Sequence, residues 1–175
     1  MPLSKIKYNS LNVTPAASEN IGFNAGANAL ATQAAGGSNT PNFSLKNAAN
    51  QAITHATNTQ VTLGTEEWDT GGDCASGAFT APSAGKYLFT YGGCVAVSLD
   101  GAYTCFYLYK NGSLVPHTNL GSSSGSTEQE QLRGSLMLDL SASDVITLYV
   151  YWYDSGASGT KNATENCRLQ GLKLA

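Results

Sequence analysis

Few residues in this chain have the type and spacing to do chemistry. Ser123 lies in Gly121-Ser-Ser-Ser-Gly125, the Gly-x-Ser-x-Gly spacing that can expose a nucleophilic serine, and His117 is near enough in sequence to be weighed as its base. That elbow needs a buried strand before it and a helix after it. Here the motif falls in a run of small residues from Thr118 to Thr127 with no helical pattern following, so it reads as a loop. Asp69-Thr-Gly71 and Asp154-Ser-Gly156 form a second pattern, two carboxylates that could share one proton in acid hydrolysis. Loops of that kind follow strongly apolar strands, whereas Asp69 follows Glu66-Glu67-Trp68, and Asp-x-Gly is an ordinary turn.

Metal chemistry is equally sparse. Glu66, Glu67, Asp69 and Asp73 could offer oxygens to a calcium ion, but they lack the alternating carboxylate loop that wraps one, and a solvated acidic loop is the simpler reading. His55 and His117 have no partners at ligand spacing. Cys74, Cys94, Cys105 and Cys167 are too scattered for a metal knuckle or a disulfide framework, so at least two are expected as buried thiols, with a single bridge left open. Asn-x-Ser/Thr sequons at Asn12, Asn42, Asn111 and Asn162 are expected by chance in a chain this rich in Asn, Ser and Thr. The expectation is a non-enzyme with no catalytic residue, no metal and no cofactor.

Composition points the same way. The 175 residues suit one domain with an added arm. Charged residues are 12%, against a usual ~25%, while 42% are apolar and the net charge is −3. So little charge excludes a solvated disordered chain, and the absence of a Lys/Arg excess excludes a nucleic-acid binder. No window approaches the ~20 apolar residues of a membrane span. The basic start, Met1-Pro-Leu-Ser-Lys-Ile-Lys-Tyr8, has no apolar stretch after it, so no secretory signal is expected.

The elements that must position any site divide at about residue 40. Residues 1–40 are rich in Ala, Asn, Gly and Ser, with neither a strand nor a helix period, and read as an extended arm that orders by docking. From Phe43 onward, short apolar and aromatic runs alternate with Gly/Ser/Asn/Asp turns, the pattern of an all-β sandwich or barrel. Tyr87–Tyr91, Tyr103–Tyr109, Leu136–Leu140, Val145–Tyr153 and Cys167–Leu174 read as strands, and Asn111-Gly112 as a tight hairpin turn. Val145–Tyr153 is apolar or aromatic on both faces: Val145, Thr147, Tyr149, Tyr151 and Tyr153 alternate with Ile146, Leu148, Val150 and Trp152. A two-sheet sandwich covers only one of those faces. The other is expected to meet a partner subunit, with Tyr103, Tyr107, Tyr109, Tyr149 and Tyr151 at the interface; partly solvated tyrosine rows are the alternative.

At this point the order of segments resembles a known fold. Phe43–His55, Gln60–Leu63 with Trp68-Asp69, Phe79–Phe89, Tyr107–Gly112, Leu138–Leu148 and Leu169–Leu172 are similar, in order and spacing, to the complement-subcomponent-q and tumour-necrosis-factor-like jelly-roll superfamily. The resemblance covers residues 43–174 and implies a ten-strand jelly roll that forms a homotrimer. The chain lacks a Gly-X-Y stalk, and a secreted cytokine-like ligand is therefore only an alternative function. Lys5–Ser18 instead resembles N-terminal segments of phage virion proteins. Together the two resemblances imply a virion structural protein, assembled in the host cytoplasm, with residues 1–40 docked on a capsid or tail protein and residues 41–175 as a trimeric head. The head is expected as a tail-fibre or spike tip for host attachment, with capsid decoration (cement or head fibre) as the alternative. Docking of the arm is assigned to Ile6, Tyr8, Leu11, Val13 and Phe23. Contact with a host surface glycan or protein is assigned to the loops 98–102, 120–130 and 154–166, through Asp100, Ser123, Glu128, Asp154 and Lys161. No nucleic-acid partner and no membrane insertion are expected.

Overall fold

A computed structural model of the protein describes residues 19–23, 30–34, 40–96, 103–116, 119–122, 129–156 and 159–174. The chain divides into two compact units, Met1–Ser38 and Asn39–Ala175. In the first, β1 (Glu19–Phe23) pairs antiparallel with β2 (Leu30–Ala34), Phe23 lying opposite Leu30. This hairpin departs from the sequence reading, which found no strand period there. Ile21 and Phe23 are the only large apolar residues of β1 and Leu30 the only one of β2, so a pairing carried by backbone hydrogen bonds leaves little trace in the side-chain pattern. Of the residues assigned to arm docking, Ile6, Tyr8, Leu11 and Val13 lie outside the described residues.

The second unit is all-β. Its strands are β3 (Asn42–Lys46), β4 (Gln51–Thr54), β5 (Thr59–Gln60), β6 (Thr65–Asp69), β7 (Cys74–Ala75), β8 (Ala78–Thr80) and β9 (Gly85–Ala96). There follow β10 (Tyr103–Lys110), β11 (Ser113–Leu114), β12 (Asn119–Ser122), β13 (Gln129–Leu140), β14 (Val145–Tyr153), β15 (Thr160–Ala163) and β16 (Arg168–Lys173). One sheet runs β11-β10-β14-β8-β7, with β12 along β10 and β5 along β14; the other runs β4-β15-β9-β16-β3-β6, with β13 along β9. The expected ten strands appear as more segments, because turns break the stretch 51–80 into five short pieces. Two expected loops also contain strands. Asn119–Ser122 pairs with β10, placing Gly121 opposite Thr104, and Thr160–Ala163 pairs with β4 and β9. Backbone pairing needs no apolar alternation, whether along β10 for β12 or between β4 and β9 for β15, and without it these polar runs read as loops. Among the described residues, no helix is long and apolar enough to cross a membrane.

Alternation along β14 closes the sandwich. Ile146, Leu148, Val150 and Trp152 all point inward and are fully buried, and the Trp152 Nε1–H donates to the Ile53 carbonyl at 3.1 Å, satisfying the one polar atom the indole brings inside. From the opposite sheet, Tyr87 and Phe89 of β9 meet Phe79 of β8 and Phe43 of β3. Phe43 stacks on Phe79 with ring centroids 4.5 Å apart, and Phe79 lies 5.7 Å from Tyr87 and 6.0 Å from Phe89. The Tyr87 hydroxyl donates to the Ser83 carbonyl at 2.7 Å. Gly171 makes room for this cluster: a Cβ there would stand 2.6 Å from the Phe43 ring. At the end of β10, Asn111 and Gly112 take φ of 51° and 77°, the two left-handed conformations that a tight hairpin requires.

Because Phe79 is fully buried against the rings of Phe43, Tyr87 and Phe89, Phe79→Ala is expected to cost about 3–5 kcal/mol. Gly171→Ala should cost about 1–3 kcal/mol through overpacking. Lys86→Ala, which removes only the exposed pair with Asp139, should cost less than about 1 kcal/mol. Urea unfolding of the three variants checks the ranking.

Candidate functional site

Both Asp-x-Gly turns use their carboxylates internally. Asp69 Oδ1 accepts from the backbone N–H of Gly71 (3.1 Å) and Gly72 (3.0 Å), and its Oδ2 accepts from that of Cys74 at 2.7 Å. Asp154 Oδ1 accepts from Gly156 N–H at 2.6 Å. Each carboxylate caps its own turn. Burial, and then the Asp69 charge, push the Asp73 carboxyl above its ordinary value. Among the described residues, no group of three or more His, Cys, Asp or Glu is placed to hold a metal ion.

The residues assigned to ligand contact fare unequally. Asp100, Ser123 and Glu128, with His117, lie outside the described residues. Asp154 is corrected: it is only 5% exposed, and the turn it caps draws it inward. Lys161 is half-buried with its ammonium 5.8 Å from the centre of the Trp152 ring, a cation–π placement. The cysteines are thiols, with Cys94, Cys105 and Cys167 buried. Burial pushes Cys167 up to about 11.

What the fold does bring together is two outward faces of contrasting chemistry. On the first sheet, cross-strand neighbours are Tyr103 and Tyr153, Cys105 and Tyr151, Tyr107 and Tyr149, and Tyr109 and Thr147. All six tyrosines are half-buried, and Tyr103, Tyr109, Tyr149, Tyr151 and Tyr153 make ring contacts within the row. Ring centroids are 4.0 Å apart for Tyr109 and Tyr149, 5.3 Å for Tyr103 and Tyr153, and 5.9 Å for Tyr103 and Tyr151. Flanking positions are Gln60 beside Tyr149 and Leu114 beside Tyr109, and Asn58 Nδ2 donates to the Tyr109 hydroxyl at 3.2 Å. None of these residues carries a charge. Burial, with a hydrogen bond to Cys105, holds the Tyr107 phenol well above its usual range; burial, with a hydrogen bond to Tyr103, raises Tyr151. The face is a neutral, phenolic platform.

On the second sheet the outward residues fall into bands. Asn42, Leu172, Leu88 and Met137 lie in one cross-strand row, and Trp68, Ser44, Gln170, Thr90 and Ser135 in the next. Trp68 is 47% and Met137 64% exposed. Trp68, Leu88, Leu172, Gln170, Thr90 and Asn42 line a shallow groove of about 410 Å³. Charged pairs flank it: Lys86 with Asp139 at 3.7 Å on one side, and Glu67 with Lys46 (3.7 Å) and with Arg168 on the other. The Ser44 hydroxyl, which donates to Glu67 at 2.8 Å, and the Arg168 and Lys46 charges hold the Glu67 carboxyl below its usual value. Sequence reasoning missed this face because Met137, Trp68, Leu88 and Leu172 come from four separate strands; the apolar residues on the polar side of each strand were the only signal.

The end of the tyrosine platform is pinned by Asp144. Its carboxylate accepts from Lys110 Nζ (2.7 Å), Asn111 Nδ2 (2.7 Å) and Ser141 N–H (2.7 Å), and these partners hold its pKa down at about 2.

No protein-family model matches the chain, and no curated protein matches it in sequence. Solved structures do. The globular domain of zebrafish complement 1qA protein superposes with a TM-score of 0.58 at 17% identity, over 78% of this chain and 98% of that one. Murine APRIL at pH 5.0 gives 0.56 at 13% identity over 77% and 98%, and Eiger TNF from S. frugiperda 0.55 at 13% over 77% and 94%. The fold is thus an all-β two-sheet sandwich resembling complement-subcomponent-q and tumour-necrosis-factor domains, as the segment order implied.

Since the folded pKa of Asp144 lies below the unfolded value of about 3.9, its stabilising contribution is complete above that pH and is lost as pH falls toward about 2. Asp144→Asn is expected to lower the urea midpoint at pH 7 and to flatten its acid dependence between about pH 4 and pH 2. An acid profile identical to the parent's would contradict the assignment.

Proposed function

We propose that this chain is a phage virion structural protein. Its jelly-roll domain self-associates as a homotrimer and is displayed as a tail-fibre or spike tip that attaches to a host surface; no chemical step is part of the role. The observation that carries self-association is the band formed by Met137, Trp68, Leu88 and Leu172. An exposed apolar strip rimmed by paired charges has the make-up of a protein interface, with an apolar centre and a polar edge. A lone domain would leave that strip in water. The run of phenolic rings along β10 and β14 favours a second reading, in which Tyr103, Tyr107, Tyr109, Tyr149 and Tyr151 form the seam instead. Support for the virion setting is the resemblance of Lys5–Ser18 to phage segments, and the docking role of residues 1–40 belongs to the same proposal.

Two other settings compete. In capsid decoration, many copies would cement the shell; in a cytokine-like ligand, the trimer would act as a soluble signal, a reading that murine APRIL and Eiger TNF support only through likeness of fold. Sedimentation at micromolar concentration is expected to give a trimer, and Met137→Asp should shift it to monomer, whereas Tyr149→Ala should leave it trimeric. A parent protein that sediments as a monomer overturns the reading, and a seam lost only in Tyr149→Ala moves it to the tyrosine face. Labelling of purified particles should mark a few sites at the tail; dense labelling of the shell replaces the fibre by the decoration role. Removing residues 1–40 is expected to leave a folded trimer that no longer joins particles.

A further inference from the structure

We propose that the tyrosine face of β10 and β14 is a binding platform for a neutral polysaccharide of hexopyranoses. This deepens the attachment reading and rests on it, by naming the surface that meets the host and the chemistry it selects.

Four observations carry it. The platform is long: from Tyr103 to Tyr109 the strand extends about 20 Å, and the rings of β14 run beside it in register, giving room for several sugar rings in a row. The rings are exposed on one side only and brace one another, as in the 4.0 Å Tyr109–Tyr149 pair, so they stand in place before any ligand arrives and little side-chain entropy is lost on binding. Pyranose rings offer a flat C–H face that suits the electron-rich face of an aromatic ring. Hydroxyl and amide groups edge the platform, with Asn58 on the Tyr109 hydroxyl and Gln60 beside Tyr149, so sugar hydroxyls can meet donors and acceptors while the ring stacks.

Charge decides among occupants. Among the described residues the face has no Lys or Arg, and Lys110 at its end is held by Asp144 at 2.7 Å. A nucleic acid or an anionic glycan would therefore find no counter-charge, although aromatic stacking alone would suit bases. A second copy of the chain is less fitting here than on the opposite sheet. The tyrosines are already half-buried against each other and would carry a row of hydroxyls into the seam, whereas Met137 and Trp68 protrude.

The test uses the full-length protein in affinity electrophoresis through gels containing laminarin, hydroxyethylcellulose or galactomannan, with dextran sulfate as the anionic control. Retardation by at least one neutral polymer and not by dextran sulfate is expected. Tyr149→Ala and Tyr151→Ala should weaken it by about tenfold or more, Tyr149→Phe should retain most of it, and Trp68→Ala should behave as the parent. Ultraviolet difference spectra of the unmodified protein titrated with the retarding polymer should show a tyrosine perturbation, a readout independent of variant folding. Retardation by none of the three, retardation by dextran sulfate alone, or no tyrosine perturbation overturns the proposal. Sedimentation of the same samples reports on the trimer separately: a parent trimer that ignores all three sugars removes this inference and leaves the attachment role standing, while dissociation by Tyr149→Ala assigns the face to the seam and overturns it.

Discussion

The aromatic cluster of Phe43, Phe79, Tyr87 and Phe89 is the contact on which the rest of the domain depends. Phe79 comes from one sheet and the other three from the opposite sheet, so their packing is what holds the two layers at a fixed distance. With that spacing set, the inward residues of β14 are fully buried, and the alternation of a strand forces their neighbours outward. The outer tyrosine row is therefore a consequence of the core: five outward residues of β14 follow from the four that must point in.

That constraint leaves the protein with two outer faces and makes them different. The tyrosine sheet is neutral and self-braced, because cross-strand partners on β10 and β14 are themselves aromatic. The β9 sheet carries protruding Trp68 and Met137 between rows of paired charge. The first suits a ligand that stacks and hydrogen-bonds without charge; the second suits a protein surface that buries apolar side chains inside a polar rim.

Much of the architecture is legible along the chain where side chains must obey a period. Val145–Tyr153 is a strand over the whole span expected, and Asn111-Gly112 makes the expected turn because both residues tolerate positive φ. Phe79, Ala81, Tyr87 and Phe89, from the stretch on which the family resemblance leaned, are all buried. Where large apolar residues are few, the period is too short to read: Glu19–Phe23, Leu30–Ala34 and Asn119–Ser122 pair as strands all the same. Asp154 illustrates the opposite error, a charged residue in a polar segment that the local turn folds inward as its own cap.

By itself, the order of residues determined the all-β class, the two alternating sides of Val145–Tyr153, and the turn at Asn111-Gly112, since these depend on neighbours one or two positions away. Only the tertiary structure decided which outward residues share a face. Trp68, Leu88, Met137 and Leu172 are far apart in the chain, and they share one face because the strand order β6-β3-β16-β9-β13 and its register bring them there. Register is a property of pairs of strands, and no single strand encodes it.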